Sequence, residues 1–131
     1  MKRHRNTLVA ALVLLACSRP DAHLCAQTAD IFKASAPALV LITTPDGSGS
    51  GAIVELDGKK YLITNEHVLR GGKPFKASLL NGDAVVVRGL DLSELSDLAR
   101  MEVTNQALPA LKVERGAPGI GMQVSVFGNS G

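Results

Sequence analysis

Aromatic residues and cysteines are scarce in this sequence of 131 residues. Aromatic side chains make up 3% of it and Trp is absent, so Val, Leu, Ile and Ala must build the core. Both cysteines, Cys17 and Cys25, lie near the N-terminus. This excludes a structural disulfide, a thiolate zinc site and a thiol nucleophile from the rest of the chain. His67 is the single histidine after residue 26, so a histidine-rich metal site is excluded too. We expect no metal and no cofactor.

The sequence also lacks the excess of positive charge that favours nucleic acid. Its formal net charge is +2, from 14 Lys and Arg and 12 Asp and Glu. The first 26 residues hold four of those basic residues and one acidic residue, which leaves 10 basic against 11 acidic residues. Since no basic patch interleaved with aromatic side chains remains, we do not expect nucleic acid as a partner.

The first 26 residues have the pattern of an export signal. A positive start, from Lys2 to Arg5, precedes an apolar run from Thr7 to Ala16. That run is too short to span a bilayer. We therefore interpret residues 1–26 as a signal segment or lipoprotein signal segment, and we expect the protein to be exported to the periplasm or cell envelope.

The way this segment is processed has two readings. The residues Leu14-Leu15-Ala16-Cys17 resemble the box of bacterial lipoproteins, in which the cysteine is acylated after cleavage. In that reading the protein is anchored to a membrane through Cys17. The alternative is ordinary cleavage near Ala22, Ala26 or Ala29.

Short β-type runs bounded by turn residues make up most of the remaining chain. A short helix or linker over 27–36 comes first, with Thr28 as cap, the helix ending at Ser35 and Pro37 closing it. Asp57-Gly58 and Asn81-Gly82 predict hairpin turns. We predict an all-β barrel or sandwich over 37–131. Its strands are expected at Ala38–Thr44, Ala52–Leu56, Lys59–Thr64, Phe75–Leu80, Ala84–Leu90, Leu98–Val103 and Gln123–Phe127.

A histidine stands where one of these strands ends. The β-type run Tyr61-Leu-Ile meets Thr64 and Asn65, both good N-cap residues. Gly71-Gly72 is expected to stop the helical turn that begins there. His67 would thus lie on a short, rigid helical turn at the end of a strand, with its ring directed into a cleft, as a general base requires. A lone histidine near a strand is nevertheless more often structural or exposed.

An aspartate ahead of another strand supplies a candidate partner for that ring. Between Leu95 and Leu98, the Asp97 carboxylate is expected to be shielded from solvent and to need a partner. An imidazole N–H suits it, because an acid behind the ring fixes the tautomer and stabilises the imidazolium. Two competing acids have simpler interpretations: Asp83 as a turn residue and Asp91 as a solvated residue.

The glycine-rich stretch Gly47-Ser-Gly-Ser-Gly51 raises the alternative of a phosphate-binding loop. Such a loop needs a helix directly after it, with the helix N-terminus on the phosphate. Here a β-type run from Ala52 to Leu56 follows. We therefore interpret the stretch as a turn that lets two strands approach closely.

Six blocks of residues follow one another along the chain. They are Gly49-Ser-Gly-Ala-Ile-Val, Tyr61-Leu-Ile-Thr-Asn-Glu-His-Val, Leu80-Asn-Gly-Asp-Ala, Val86-Val-Arg-Gly-Leu-Asp, Ser96-Asp-Leu-Ala-Arg-Met-Glu-Val and Gly121-Met-Gln-Val-Ser-Val-Phe-Gly-Asn. Together they resemble the trypsin-like serine peptidases, and in particular the HtrA-like enzymes of the bacterial envelope. The resemblance covers Ala36 to Gly131. It implies two six-stranded β-barrels with the active site between them, of which this chain would hold the N-terminal barrel, the second being missing.

Site residues follow from the resemblance one at a time. The Thr-x-x-His-Val block implies that His67 is the general base, and the Asp-Leu-Ala block implies that Asp97 is the orienting acid. Arg100 stands where the family has an apolar residue, on the outer face by alternation. Ser130 lies in a Gly-Asn-Ser-Gly turn only 33 positions after Asp97, where the family chain crosses between barrels. We do not predict Ser130 to be the nucleophile.

We therefore predict that the parent protein is a secreted serine-type endopeptidase acting on protein or peptide substrates. This chain would hold the base and the acid without the nucleophile, and alone would be inactive. Two alternatives stay open: a non-catalytic pseudopeptidase that serves as an envelope binding or scaffold module, and a lipid-anchored β-barrel of structural role. The sequence does not specify the oligomeric state or the substrate preference.

Overall fold

The computed structural model of the protein describes residues 20–70 and 74–128. Within these ranges one helix and a 3-10 turn precede seven strands and a one-turn helix, so the fold is all-β as predicted. The elements in order are α1 (Pro20–Ser35), the 3-10 turn (Ala36–Ala38), β1 (Leu39–Thr44), β2 (Gly47–Leu56), β3 (Lys59–Thr64), α2 (Glu66–Leu69), β4 (Lys76–Leu79), β5 (Val87–Leu92), β6 (Ala99–Val103) and β7 (Leu111–Lys112).

A single curled antiparallel sheet holds the strands in the order β4-β1-β2-β3-β6-β5, and β7 pairs in parallel with β2. The long strand β2 pairs with β1 through its first half and with β3 through its second half. Gly51 lies where the two pairings overlap, opposite Val40 and Thr64. A Cβ atom there would lie 2.9 Å from the carbonyl oxygen of Ile63, so this corner requires glycine.

The core lies on the inner face of the sheet and consists of aliphatic side chains and one Met. The alternation predicted for β6 is confirmed, since Ala99, Met101 and Val103 are buried while Arg100 is exposed. Burying such side chains contributes about 1.5–3 kcal/mol each to folding. The fully buried large side chains are Ile42, Ile53, Leu62, Met101 and Val103.

Strand β2 is longer than predicted. It begins at Gly47 rather than Ala52, so the glycine-rich stretch is part of a strand and not a turn. The turn before it consists of Pro45 and Asp46. Glycine weakens an isolated strand, but here each residue from Gly47 to Ala52 lies opposite a residue of β1. Cross-strand pairing therefore overrides the local preference.

The two predicted hairpin turns have different outcomes. Asp57 and Gly58 both have positive φ and join β2 to β3, as predicted. At the second turn, Gly82 N–H donates to the Leu79 carbonyl at 2.9 Å. Beyond it, the predicted strand Ala84–Leu90 forms only from Val87 onward, as part of β5. Its expected hairpin partner is wrong: a single bridge joins Ala84 to β4, and the chain then crosses to pair as β5 with β6.

Two further predictions near the chain ends differ from the structure. The segment Gln123–Phe127 forms no strand, because an alternating pattern makes a strand only where a neighbour completes the ladder. Instead the Phe127 ring packs on the Phe32 ring, with centroids 5.4 Å apart. Helix α1 ends at Ser35 as predicted but begins at Pro20, so Thr28 lies inside it and is not its cap.

Several predicted features lie outside the described residues. These are the targeting sequence up to residue 19, including Cys17, the Gly71-Gly72 stop and Ser130. Among the helices that the structure does describe, none combines the length and the apolar character needed to cross a membrane.

Candidate active site

His67 is carried by α2, which begins directly after β3. Asn65 is the N-cap residue, with extended backbone angles, but its side chain does not cap the helix, contrary to our expectation. Instead its Nδ2 donates to the carbonyl oxygen of Asp97 at 2.9 Å. Thr64 is buried and its hydroxyl donates to the Ser50 carbonyl at 2.8 Å. These two bonds tie the start of α2 to its neighbours on both sides.

The loop before β6 brings Asp97 against His67. One carboxylate oxygen, Oδ1, accepts the backbone N–H of His67 at 2.9 Å. The other oxygen, Oδ2, is hydrogen-bonded to the ring nitrogen Nδ1. Because the carboxylate holds both the backbone and the ring of the same residue, the imidazole has one orientation. Nδ1 is occupied, and Nε2 is the ring nitrogen left to exchange a proton.

The contacts at Asp97 favour its charged form. The backbone N–H of His67, then its ring, and more weakly the charge of Arg70 hold the pKa of the Asp97 carboxyl below its ordinary value, against the opposing effect of desolvation. A hydrogen bond donated to a carboxylate stabilises the anion. The site therefore contains an ionised acid behind the imidazole at neutral pH.

The expected shielding of Asp97 is wrong within the described residues. Its side chain is 45% exposed and that of His67 is 63% exposed. Leu95, which was expected to cover the carboxylate, is fully exposed. The loop closes on itself instead, since the Ser93 N–H donates to the Leu98 carbonyl at 2.9 Å.

A groove of about 400 Å³ adjoins the His67 ring. One wall is the β1–β2 hairpin, including Thr44, Asp46 and Ser48 to Ser50, and the other is Asn65, His67 and Val68. We call it the His67 groove. The position of this hairpin beside His67 was not predicted. The small-residue run in β2 is a signal for it, because glycine in a strand can mark a close approach of another backbone segment.

Gly49 sets the distance between those two walls. It is buried, and a Cβ atom on it would lie 2.5 Å from Cγ1 and 2.6 Å from Cγ2 of Val68. Real Cβ contacts are not that short, so the absence of a side chain at Gly49 is what lets α2 rest on β2. The position of His67 therefore depends on this glycine.

The competing acids have other partners. Asp83 accepts a hydrogen bond from Asn81 Nδ2 at 2.8 Å within its turn, as expected of a turn residue. Asp91 lies in β5 and forms an ion pair with Arg100 at 2.6 Å, so it is not simply solvated. The Arg100 guanidinium also lies over the Tyr61 ring, 4.9 Å from its centroid.

The described part of the chain contains neither a serine bonded to the His67 ring nor a metal-binding cluster. There the His67 ring makes no hydrogen bond to a serine hydroxyl, its partner being Asp97. The described ranges also contain no group of three or more His, Cys, Asp or Glu side chains that could hold a metal ion.

Known proteins similar to this chain include bacterial serine proteases. No protein-family model matches. The chain is 40% identical over 63 residues to the serine protease Do-like HtrA of Bacillus subtilis, a match that covers 47% of this chain and 14% of that protein. It is 30% identical over 67 residues to the putative serine protease HhoB of Synechocystis, covering 51% of this chain and 16% of that protein.

A solved structure is similar in fold. The crystal structure of the serine endoprotease from Yersinia pestis superposes with a TM-score of 0.60 at 26% sequence identity. The match covers 72% of this chain and 36% of that one. The matched region thus spans about a sixth of the curated relatives and about a third of the solved chain.

Proposed function

We propose that this chain supplies the base and the acid of a secreted serine endopeptidase. It is related to the HtrA-like branch of the trypsin-like serine peptidases, both in sequence and in its half-barrel fold. The observation that carries the proposal is the two-point contact between Asp97 and His67. A carboxylate that is hydrogen-bonded to both the backbone N–H and the ring of one histidine is suited to orienting a general base.

His67 moves the proton in both halves of the reaction. With Nδ1–H directed to Asp97, the lone pair on Nε2 accepts the proton of a serine hydroxyl as the serine oxygen attacks the peptide carbonyl. The resulting imidazolium then protonates the leaving amine as the C–N bond breaks, and an acyl-enzyme forms. The same base then activates the water that hydrolyses the acyl-enzyme.

Asp97 stays ionised throughout this cycle. Its lowered pKa keeps the carboxylate charged while the neighbouring ring gains and loses a proton. The carboxylate stabilises the imidazolium electrostatically and holds the productive tautomer. It does not itself take up the proton.

The nucleophile in this proposal lies outside the described residues, in a second barrel together with the oxyanion hole. Two observations support that placement. The match spans only 36% of the Yersinia pestis endoprotease chain, and among the described residues no serine hydroxyl bonds to the His67 ring. Export rests on the pattern of residues 1–26, and anchoring through an acylated Cys17 remains part of the proposal.

The test is degradation of an unfolded protein substrate by the complete gene product. His67→Ala should abolish turnover, and Asp97→Asn should lower it by about four orders of magnitude. Asp83→Asn and Asp91→Asn remove acids that have other partners and should leave the activity nearly unchanged. The 131-residue chain alone should be inactive. Equal activity of the parent and its His67→Ala variant would refute the proposal and favour a non-catalytic envelope module.

A further inference from the structure

The His67 groove contains an acidic side chain that the proposed mechanism does not use. Asp46 lies in the two-residue turn between β1 and β2 and lines the groove. It is exposed, and its carboxylate makes no ion pair or hydrogen bond within the ranges that the structure describes. Other acidic side chains of the half-barrel do have partners: Asp57, Glu66, Asp83, Asp91, Asp97 and Glu102.

The described lining of the groove does not neutralise this carboxylate. Besides Asp46 and His67, its described walls consist of Thr, Ser, Gly, Asn and Val residues, with no Lys or Arg among them. The volume of about 400 Å³ is in the range of pockets that hold a small ligand. Among the described residues the groove therefore carries the Asp46 carboxylate with no cationic side chain beside it, and it adjoins the proposed general base.

Asp46 and His67 line the same groove. The backbone rises by about 10 Å over the three steps from Asp46 to Gly49, and Gly49 lies against Val68, the residue after His67. An extended peptide rises by about 3.3 Å per residue. A side chain that reaches Asp46 from a peptide bond held at His67 therefore belongs to a residue within about three positions of that bond.

Resting on the proposed peptidase function, we infer that Asp46 is a specificity residue that selects Lys or Arg within about three residues of the scissile bond. The cationic head pairs with the Asp46 carboxylate. Exposed charge pairs are weak, so the preference is about two- to five-fold in kcat/KM at low ionic strength. It decreases as salt shortens the screening length.

The experiment compares the cleavage rates of paired peptides. One peptide of each pair has Arg and the other has citrulline, its neutral isostere, at the same position. The position is varied up to three residues from the scissile bond. The complete gene product should cleave the Arg peptide about two- to five-fold faster at one such position. Asp46→Asn should make the cleavage rates of the two peptides equal. Glu55→Gln is the matched control, since Glu55 is an exposed acid of β2 outside the groove; it should leave the preference intact.

Equal cleavage of the two peptides, or a preference that survives Asp46→Asn, would overturn the inference. A readout independent of catalysis separates it from the proposed function. In NMR titrations of the 131-residue chain, the Arg peptide should shift the amide signals of residues 44–50 at lower concentration than the citrulline peptide does. If the Arg peptide binds more tightly but neither peptide is cleaved, the peptidase proposal is overturned. If both peptides are cleaved without a preference for Arg, the role of Asp46 is overturned.

Discussion

Replacing Gly49 by Ala should disturb the proposed active site without touching any of its reacting groups. The added methyl group would lie 2.5 Å from Cγ1 of Val68 and 2.6 Å from Cγ2. Gly49 is fixed in β2, where it lies opposite Ile42 of β1, and Ile42 is completely buried. The strand therefore cannot move easily, and the strain falls on Val68 and on the short helix that carries His67.

The size of the effect follows from that contact. Adding a methyl group to a packed site costs about 1–3 kcal/mol, and we expect Gly49→Ala to lower the free energy of unfolding by this amount. If α2 moves by about 1 Å to relieve the contact, the base is misplaced by a similar distance. Misplacement on that scale costs about 10²-fold in rate, so activity should fall by more than the loss of folded protein explains.

Equilibrium urea unfolding of the 131-residue chain measures the change in the free energy of unfolding. Gly47→Ala is the control, because nothing lies within 4 Å of a Cβ atom at Gly47; it should change the stability by about 0.5 kcal/mol or less. In a Val68→Ala background, Gly49→Ala should cost much less, since the side chain it meets has been shortened. If Gly49→Ala and Gly47→Ala have equal effects, this account of how α2 is positioned is wrong.

Three further outcomes follow from the structure. The Asp97 carboxyl should titrate below its ordinary pKa of about 3.9 in carbon-detected NMR. Because the folded-state pKa is lowered, its stabilising effect should be complete at neutral pH and be lost as the pH falls below about 4; a midpoint above the ordinary value would contradict this. Leu62→Ala empties a fully buried site and should cost about 2–5 kcal/mol in urea unfolding. Thr64→Val removes a hydroxyl bonded to the Ser50 carbonyl and should cost about 1 kcal/mol, whereas an unchanged stability would show that this bond contributes nothing.

The sequence predicts best those parts of the fold whose signal is local. The strand Lys59–Thr64 has the bounds that its β-type run predicts, and the preceding turn at Asp57-Gly58 forms with positive φ at both residues. Leu98–Val103 differs from β6 by one residue. In each case propensity, turn chemistry and alternation agree, so tertiary contacts have nothing to override.

What the sequence misses depends on the partner of a segment rather than on the segment itself. Ala84 follows a good hairpin turn, yet after one bridge the chain leaves β4 and pairs with β6. The strand β7 has only two residues and exists because β2 is beside it. Gln123–Phe127 has the alternation of a strand but no ladder partner in the described ranges. The pairing of strands that are distant in the sequence is not encoded in any one of these segments.

The candidate active site, like the fold, was predicted from the sequence only in part. The pairing of His67 with Asp97 was predicted from residue types and from the family resemblance, and the structure brings the two residues together. The exposure of the carboxylate, the bond from Asn65 to the Asp97 backbone and the contact of Gly49 with Val68 were not predicted. They depend on how β2, α2 and the loop before β6 meet in the folded chain, which no spacing along the sequence specifies.

The most direct test of the central proposal is covalent labelling of the complete gene product with a fluorophosphonate, followed by peptide mapping. The account predicts one adduct per molecule, on a serine beyond residues 20–128, at a rate that falls at least 10³-fold in His67→Ala. An adduct that forms equally fast without His67, or no adduct on a folded parent protein, would contradict the assignment of His67 as the general base of a serine peptidase.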